Sequence, residues 1–117
     1  RAAAEQGDPD AQYNLGVMAL NGIGAITDFN EALRWFELAA GNGDTAAQFT
    51  LGVIHANGRG VPQDFMLAHM WFTVAAAGGD KNASVNAVLF QEMLTVEQYE
   101  ESQRRSLDMI ERFNAAR

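Results

Sequence analysis

The feature that most constrains this chain is an internal repeat with a period of 36 residues. Residues 8–43 align with residues 44–79, and seventeen of the aligned positions are identical. Composition alone would give roughly two or three matches in such a window. The register extends in both directions, because the Ala-Ala pair at 3–4 recurs at 39–40 and at 75–76. A chain with two full copies of a short unit is predicted to fold as a repeat protein.

Each copy is predicted to form two helices, A and B. Asp8 is a good N-cap for helix A, because its carboxylate can accept hydrogen bonds from the free N–H groups of the first turn. Pro9 fits the first helical position, where its missing N–H has no consequence. Helix A then runs to about Asn21, and Gly22 can adopt the left-handed conformation that ends a helix.

Helix B is predicted to begin at Asp28, with Glu31 three residues later completing a capping box. It runs to about Ala40 and stops at Gly43. The second copy carries the same signals. They are Asp44, Gly58, Asp64 and Gly79. The fold class predicted from these patterns is all-α.

Two mid-helix glycines indicate how the helices pack. Gly16 and Gly52 occupy the same position in the two copies, although glycine inside a helix costs about 1 kcal/mol relative to alanine. Close approach of a neighbouring helix is the expected reason, and Ala32 and Ala68 are expected to serve the same purpose on helix B. The large apolar residues, the tryptophans included, are interpreted as core: Leu15, Phe29, Trp35, Phe36, Leu51, Phe65, Trp71 and Phe72. Helix A is expected to turn an apolar stripe inward, made of Ala11, Leu15 and Met18 in the first copy and Ala47, Leu51 and Ile54 in the second.

The last third departs from the repeat. Residues 80–94 are interpreted as a degenerate helix A in which Ala87-Val88 replaces the Leu-Gly pair, and residues 95–117 as a capping helix. Thr95 and Gln98 make a capping box. The inward face of this helix is predicted to carry Tyr99, Leu107, Ile110 and Phe113. The whole chain is expected to be one domain of six helices, counting residues 1–7 as the remnant of a preceding repeat.

The motifs resemble the Sel-one-like repeat (SLR) family in its bacterial form, a relative of the tetratricopeptide repeats. The matching stretches are Ala11-Gln12-Tyr13-Asn14-Leu15-Gly16, Asn21-Gly22-Ile23-Gly24, Asp28-Phe29, Trp35-Phe36 and Ala39-Ala40, with counterparts at 47–52, 57–62, 64–65, 71–72 and 75–76. The resemblance implies a right-handed α-α superhelix in which helix A lines the concave surface, and an adaptor role in protein complexes. The turn at Ala25-Ile26 departs from the family's Val-Pro. A plain tetratricopeptide fold is the alternative, and the 36-residue period and the Gly-x-Gly turn favour the Sel-one-like interpretation.

Charge and composition exclude several classes of partner. The net charge is −7, from 15 acidic and 8 basic residues, which disfavours nucleic acid and anionic membranes. The pair Arg104-Arg105 is interpreted as a solvated helix face rather than a phosphate contact. No apolar run approaches the roughly 20 residues of a membrane span.

The chain has no cysteine, so it forms no disulfide. The absence of cysteine leaves the compartment open, and the bacterial periplasm is favoured over the cytoplasm. Because it begins with Arg1 instead of Met, the chain is expected to be processed or part of something longer.

Residues capable of catalysis are sparse. His55 and His69 lie on the two helices of one copy without a metal-binding spacing, and both are interpreted as partly exposed helix residues. The Gly-x-Gly turns lack the third glycine and the preceding strand of a dinucleotide site. No catalytic residue, metal or cofactor is therefore expected.

The sequence accordingly favours a non-catalytic interaction module that binds a peptide or protein in a concave groove. An accessory domain of a cell-envelope enzyme, or such an enzyme itself, is the alternative, and a small-molecule binder is a third hypothesis. An enclosed polar cleft would favour the enzyme, and an open groove would favour the scaffold.

Spacings of three and four on the A helices predict the binding row: Asp10, Asn14, Val17, Asn21, Thr50, Val53, Asn57, Asn86 and Leu89. Val17, Val53 and Leu89 are expected to form an exposed apolar row, unless the valines pack between neighbouring A helices. Homo-association through the N-terminal end is also expected, because the outer face of the first helix A lacks a cover.

Overall fold

The computed structural model describes residues 4, 6–21, 29–58 and 60–116, and this part of the chain is built of α-helices without a strand. The helices are α1 (Pro9–Asn21), α2 (Phe29–Gly41), α3 (Thr45–Asn57), α4 (Phe65–Ala77), α5 (Lys81–Gln91) and α6 (Val96–Ala115). The all-α repeat prediction is confirmed. The prediction of six helices counted the remnant at residues 1–7. The six helices given above do not include the remnant, and they include the degenerate third helix A, which is a complete helix.

The helix starts follow the predicted caps. The side chains of Asp44 and Asp64 each accept a hydrogen bond from the backbone N–H three residues on, at 3.2 and 3.0 Å. Asp80, which was not among the predicted caps, accepts in the same way at 3.0 Å. At the start of α6, Thr95 Oγ1 accepts from the N–H of Gln98 at 3.1 Å, and Gln98 Oε1 accepts from the N–H of Thr95 at 2.9 Å. These bonds satisfy donors that a helix N-terminus would otherwise leave unpaired.

The helix ends use the predicted glycines. Gly58 adopts a left-handed conformation with φ of 69° and donates its N–H to the Ile54 carbonyl one turn earlier, at 2.9 Å. Gly43 and Gly79 also have positive φ. The signals predicted at Gly22 and Asp28 lie outside the described residues.

In both repeats helix B packs against helix A through the mid-helix glycine. A Cβ placed on Gly16 would lie 2.6 Å from Cε1 of Phe36, and one on Gly52 would lie 2.6 Å from Cε1 of Phe72. Ordinary carbon–carbon contacts are about 3.5–4.0 Å, so no side chain fits at either position. The close approach predicted from the repeated glycines is confirmed.

Two apolar clusters form the core. In the first, α2 lies against α1 and α3, and its buried members are Ala32, Phe36, Ala39, Ala40, Ala47, Leu51 and Ile54. In the second, α4 lies against α3 and α5, and its buried members are Ala68, Phe72, Ala75 and Ala83. Trp35 is buried, and Trp71 is half-buried against the first cluster. Both tryptophans therefore contribute to the core, as expected.

The final helix does not repeat the A–B packing. α2 packs on α1 and α4 on α3, but α6 packs against α4 rather than α5. One period after Phe72 the chain has Asp108, and one period after Ala68 it has Arg104. The glycine position of helix A is occupied by Val88, which leaves no room for a ring. The third repeat therefore lacks the contacts that hold a helix B in place.

α6 contacts α4 through a different stripe from the one predicted. Ser102 and Ser106 are fully buried, and three members of the predicted stripe are half-buried: Tyr99, Ile110 and Phe113. Leu107 is 54% exposed, so its assignment to this face is wrong. Its neighbour Ser106 lies on the contact face, and one residue along a helix rotates the side chain by about 100° away from that face. Small serines allow the two helices to approach closely.

The inward stripe of helix A is buried in α3 but not in α1. Ala47, Leu51 and Ile54 are buried, whereas Ala11 and Leu15 are half-buried and Met18 is 44% exposed. The core assignment of Met18 is therefore wrong. The physical reason is that α2 covers this face of α3, and no described helix covers the same face of α1.

Candidate functional site

The polar members of the predicted A-helix row lie on the surface of α1, α3 and α5. Asp10, Asn14 and Asn57 are exposed, while Thr50 and Asn86 are half-buried. Thr50 Oγ1 donates to the Ala46 carbonyl at 2.8 Å, which leaves its oxygen able to accept a hydrogen bond from outside. Asn21 ends α1, and its side chain lies outside the described residues. Equivalent positions of three successive A helices thus carry Asn14, Thr50 and Asn86.

The apolar members of the row differ in exposure. Val17 and Val53 are half-buried and pack against the first and second clusters. Leu89 is 55% exposed. The exposed row expected at three positions is therefore present at Leu89 alone, because α2 and α4 cover the valines and no helix B covers α5.

The uncovered side of α5 carries an apolar stripe, here called the α5 stripe, that consists of Val85, Val88 and Leu89. Their side chains are 61%, 60% and 55% exposed. Residues spaced by three and four lie on one face of a helix, so the three side chains form one surface. Met93, which is 56% exposed, follows the end of α5. In repeats 1 and 2 the equivalent of Val88 is the glycine that receives the Phe ring. The α5 stripe is thus the face that a helix B would cover.

The two histidines differ from the prediction in one respect. His55 is half-buried, as expected; burial lowers its pKa, against the opposing effect of Asp64 and Glu37. His69 is buried, with 2% exposure, so the expectation of partial exposure is wrong. Its Nδ1 lies at hydrogen-bond distance, 2.5 Å, from the Ser102 hydroxyl of α6, and burial lowers its pKa.

The position of His69 explains its burial. One period earlier the chain has Leu33, which is half-buried against the first cluster, so the histidine replaces an apolar packing residue. Its ring centroid lies 5.6 Å from that of Tyr99. Among the described residues, no group of three His, Asp or Glu side chains could hold a metal ion. The role that the geometry gives to His69 is to join α4 to α6.

Two buried glutamines that the sequence analysis did not interpret link successive repeats. Gln12 and Gln48 are 3% and 2% exposed. Their Nε2 groups donate to the carbonyls of Ala4 and Ala40, at 2.9 and 3.1 Å. The signal was available, because this glutamine is identical in both copies and sits among apolar helix positions.

The sequence model of the Sel1 repeat family matches residues 9–44 and 45–80, which together make up more than half of the chain. The chain belongs to the Sel1 repeat family. The matched units begin one residue after those predicted from the 36-residue alignment. The recognition of Sel-one-like repeats from the sequence is confirmed. Sel1 repeat proteins generally act as protein–protein interaction scaffolds and are generally non-catalytic.

Two solved structures are similar over nearly the whole chain. One is a protective antigen present in uropathogenic Escherichia coli strains that displays an SLR fold, with 34% identity and a TM-score of 0.86 over 95% of this chain. This chain spans 24% of that antigen's length. The other is a Sel1 repeat protein from Oxalobacter formigenes, with 31% identity and a TM-score of 0.74, covering 97% of this chain and 93% of that one. No curated protein sequence matches the chain.

Membrane insertion was not expected from the sequence. Within the helices that the structure describes, none combines the length and the apolar character that crossing a bilayer requires.

Proposed function

We propose that this Sel1 repeat chain is a non-catalytic scaffold that binds a partner peptide or protein along the A-helix row. The α5 stripe is the observation that carries the proposal. Single exposed apolar residues are common on protein surfaces, whereas a contiguous apolar surface with polar neighbours is typical of interaction sites. The net charge of −7 supports a protein partner over nucleic acid.

The proposed surface combines apolar contact with adaptable hydrogen bonding. Leu89 and Met93 supply exposed apolar area, and Asn14, Thr50 and Asn86 lie at the equivalent position of successive A helices. Amide and hydroxyl groups both donate and accept, so they can bond to the backbone of an extended segment or to polar side chains of a helix. A partner that places an apolar anchor against Leu89 and polar groups along α3 and α1 fits this arrangement.

The test compares two leucines of similar exposure. Leu89→Glu disrupts the proposed surface, and Leu107→Glu, on α6, is the matched control because Leu107 is 54% exposed and Leu89 55%. Peptides selected from a displayed random library against the parent chain serve as probes. We expect Leu89→Glu to weaken their binding by about tenfold or more and Leu107→Glu to leave it unchanged, with equal helical content by circular dichroism. Equal binding by all three proteins would contradict the proposal.

We propose further that the outer face of α1 supports self-association. Ala11 and Leu15 are half-buried there and Met18 is 44% exposed, while their counterparts on α3 are buried beneath α2. Association would remove this apolar area from water. We expect a concentration-dependent dimer in analytical ultracentrifugation that Met18→Glu converts to monomer. A clean monomer of the parent at high concentration would count against the idea.

A further inference from the structure

A cleft of about 260 Å³ lies where the C-terminal ends of three helices meet. Asn42 follows the end of α2, Ala77 ends α4 and Asn114 lies in the last turn of α6, and all three line the cleft. The start of α3 contributes Thr45 and Gln48. None of the residues that line the cleft carries a charge, so the helix ends contribute strongly to its electrostatic character.

The helix ends make the cleft favourable for a cation. The last carbonyl groups of a helix have no partner within the helix, and each C-terminus carries a partial charge of about −0.5. The start of α3 carries the opposite partial charge, but the Asp44 carboxylate caps it and accepts from the Ala47 N–H at 3.2 Å. Three negative ends therefore outweigh one capped positive end, and the net charge of −7 adds to the attraction of a cation.

The polar groups that line the cleft offer oxygen atoms to a ligand. The carboxamide nitrogens of Asn42 and Gln48 already donate to Gln12 Oε1 and to the Ala40 carbonyl, at 3.0 and 3.1 Å. What these two carboxamides keep for a ligand is chiefly their acceptor oxygens. Among the described residues, no backbone N–H donates to the carbonyls of Asn42 or Ala77. A ligand that donates hydrogen bonds without accepting any fits such a set of oxygens.

We propose that this cleft binds the guanidinium group of an arginine in a partner peptide. A guanidinium has five N–H donors and no acceptor. It is also more weakly hydrated than the ammonium group of lysine, so it loses less hydration on entering an uncharged cleft. Val74, Ile110 and Phe113 provide apolar walls for the aliphatic part of the side chain, and an aromatic ring also attracts a guanidinium. The cleft shares no residue with the A-helix row, so either proposal can fail without the other.

The first experiment uses N-acetyl-arginine N-methylamide as the probe and two-dimensional amide NMR of the full chain as the readout. We expect saturable shifts at the backbone amides of Gly43, Thr45 and Gly78, with a Kd on the order of 1 mM for so small a ligand. The citrulline analogue has nearly the same shape without the charge, and it should bind about tenfold more weakly. Equal binding of the two probes, or no saturable shift at these residues, would overturn the proposal.

Two further ligands test the kind of cation and its source. N-acetyl-lysine N-methylamide should bind about threefold more weakly or worse, because its ammonium group loses more hydration. If it bound as tightly as the arginine probe, the assignment to a guanidinium would be overturned. Free arginine carries an α-ammonium and an α-carboxylate group in place of the peptide bonds. If free arginine bound more tightly than the capped probe, the assignment to a peptide would be overturned.

The second experiment places a competing charge at the cleft. Asn114 and Ala77 are exposed, so Asn114→Lys and Ala77→Lys should fold, and each ammonium group should weaken binding of the arginine probe by about tenfold. Leu107→Lys is the matched control, because it adds the same charge to the same side of α6 about 10 Å away along the helix, outside the cleft lining. Its Kd should change by less than about twofold.

Circular dichroism establishes that the three variants have the helical content of the parent. If Leu107→Lys weakened binding as much as the two cleft variants, the effect would be general charge repulsion, and the inference would be overturned. Cleft variants that fold and bind the probe with the parent's affinity would refute it as well.

Discussion

Gly52→Ala tests whether the mid-helix glycines are required by packing. The new Cβ would lie 2.6, 2.7 and 2.9 Å from three ring atoms of Phe72, so the ring would have to retreat by about 1 Å to restore ordinary contacts. Phe72 is 1% exposed, and its centroid lies 5.5 Å from those of both Phe49 and Phe90. The ring therefore cannot move without displacing α3 or α5.

Two opposing effects determine how much Gly52→Ala changes the free energy of unfolding. Replacing glycine by alanine inside a helix gains about 1 kcal/mol, whereas overpacking a core typically costs about 1–3 kcal/mol. Gly41→Ala is the matched control, because a Cβ there meets nothing within 4 Å and Gly41 is not among the glycines of positive φ. Relative to Gly41→Ala, we expect Gly52→Ala to lower the free energy of unfolding by about 1–3 kcal/mol. At about 4 °C per kcal/mol, this corresponds to roughly 4–12 °C in melting temperature.

The assay is thermal and urea unfolding followed by circular dichroism. Replacing the ring by a smaller side chain should relieve the clash. The double variant with Gly52→Ala and Phe72→Leu should therefore lose less free energy of unfolding than the two single variants together, and the difference should be about 0.5–3 kcal/mol. Gly52→Leu or Gly16→Leu should unfold the module. If Gly52→Ala melted at or above Gly41→Ala, the packing explanation would be refuted.

Two further predictions concern α6. Thr95→Ala removes the capping box and should lower the free energy of unfolding by about 0.5–2 kcal/mol in urea titrations, while Thr95→Ser should retain most of it; equal losses would contradict the capping role. The pKa of His69 is lower in the folded state than in the unfolded state, so the folded state binds fewer protons than the unfolded state. The contribution of His69 to stability is therefore present above about pH 6.5 and is lost as the pH falls. The free energy of unfolding should therefore decrease as the pH is lowered from 7.5 to 5. His69→Leu, which installs the residue found at Leu33, should reduce this dependence on pH. Some dependence should persist because the pKa of His55 is also lowered, but a dependence identical to the parent's would contradict the assignment to His69.

The sequence by itself determined the local structure. The 36-residue period, the carboxylate and threonine caps and the positive-φ glycines at Gly43, Gly58 and Gly79 depend on neighbours along the chain, so they could be predicted residue by residue. The close approach at Gly16 and Gly52 was also predictable, because an unfavourable helix residue was repeated at one position. Family membership followed from the same pattern.

The tertiary structure decided which faces are covered. The exposure of Val17, Val53 and Leu89 differs although they occupy one repeat position, because coverage depends on whether a helix B lies opposite. The burial of His69 and the exposure of Leu107 follow from the direction that α6 takes across α4, which no short-range pattern specifies. A cleft lined by Gln48, Val74 and Phe113 arises where the start of α3, the end of α4 and the end of α6 meet. Local hydrogen bonding is encoded in adjacent residues, but the surface left open for a partner depends on contacts between residues far apart in the chain.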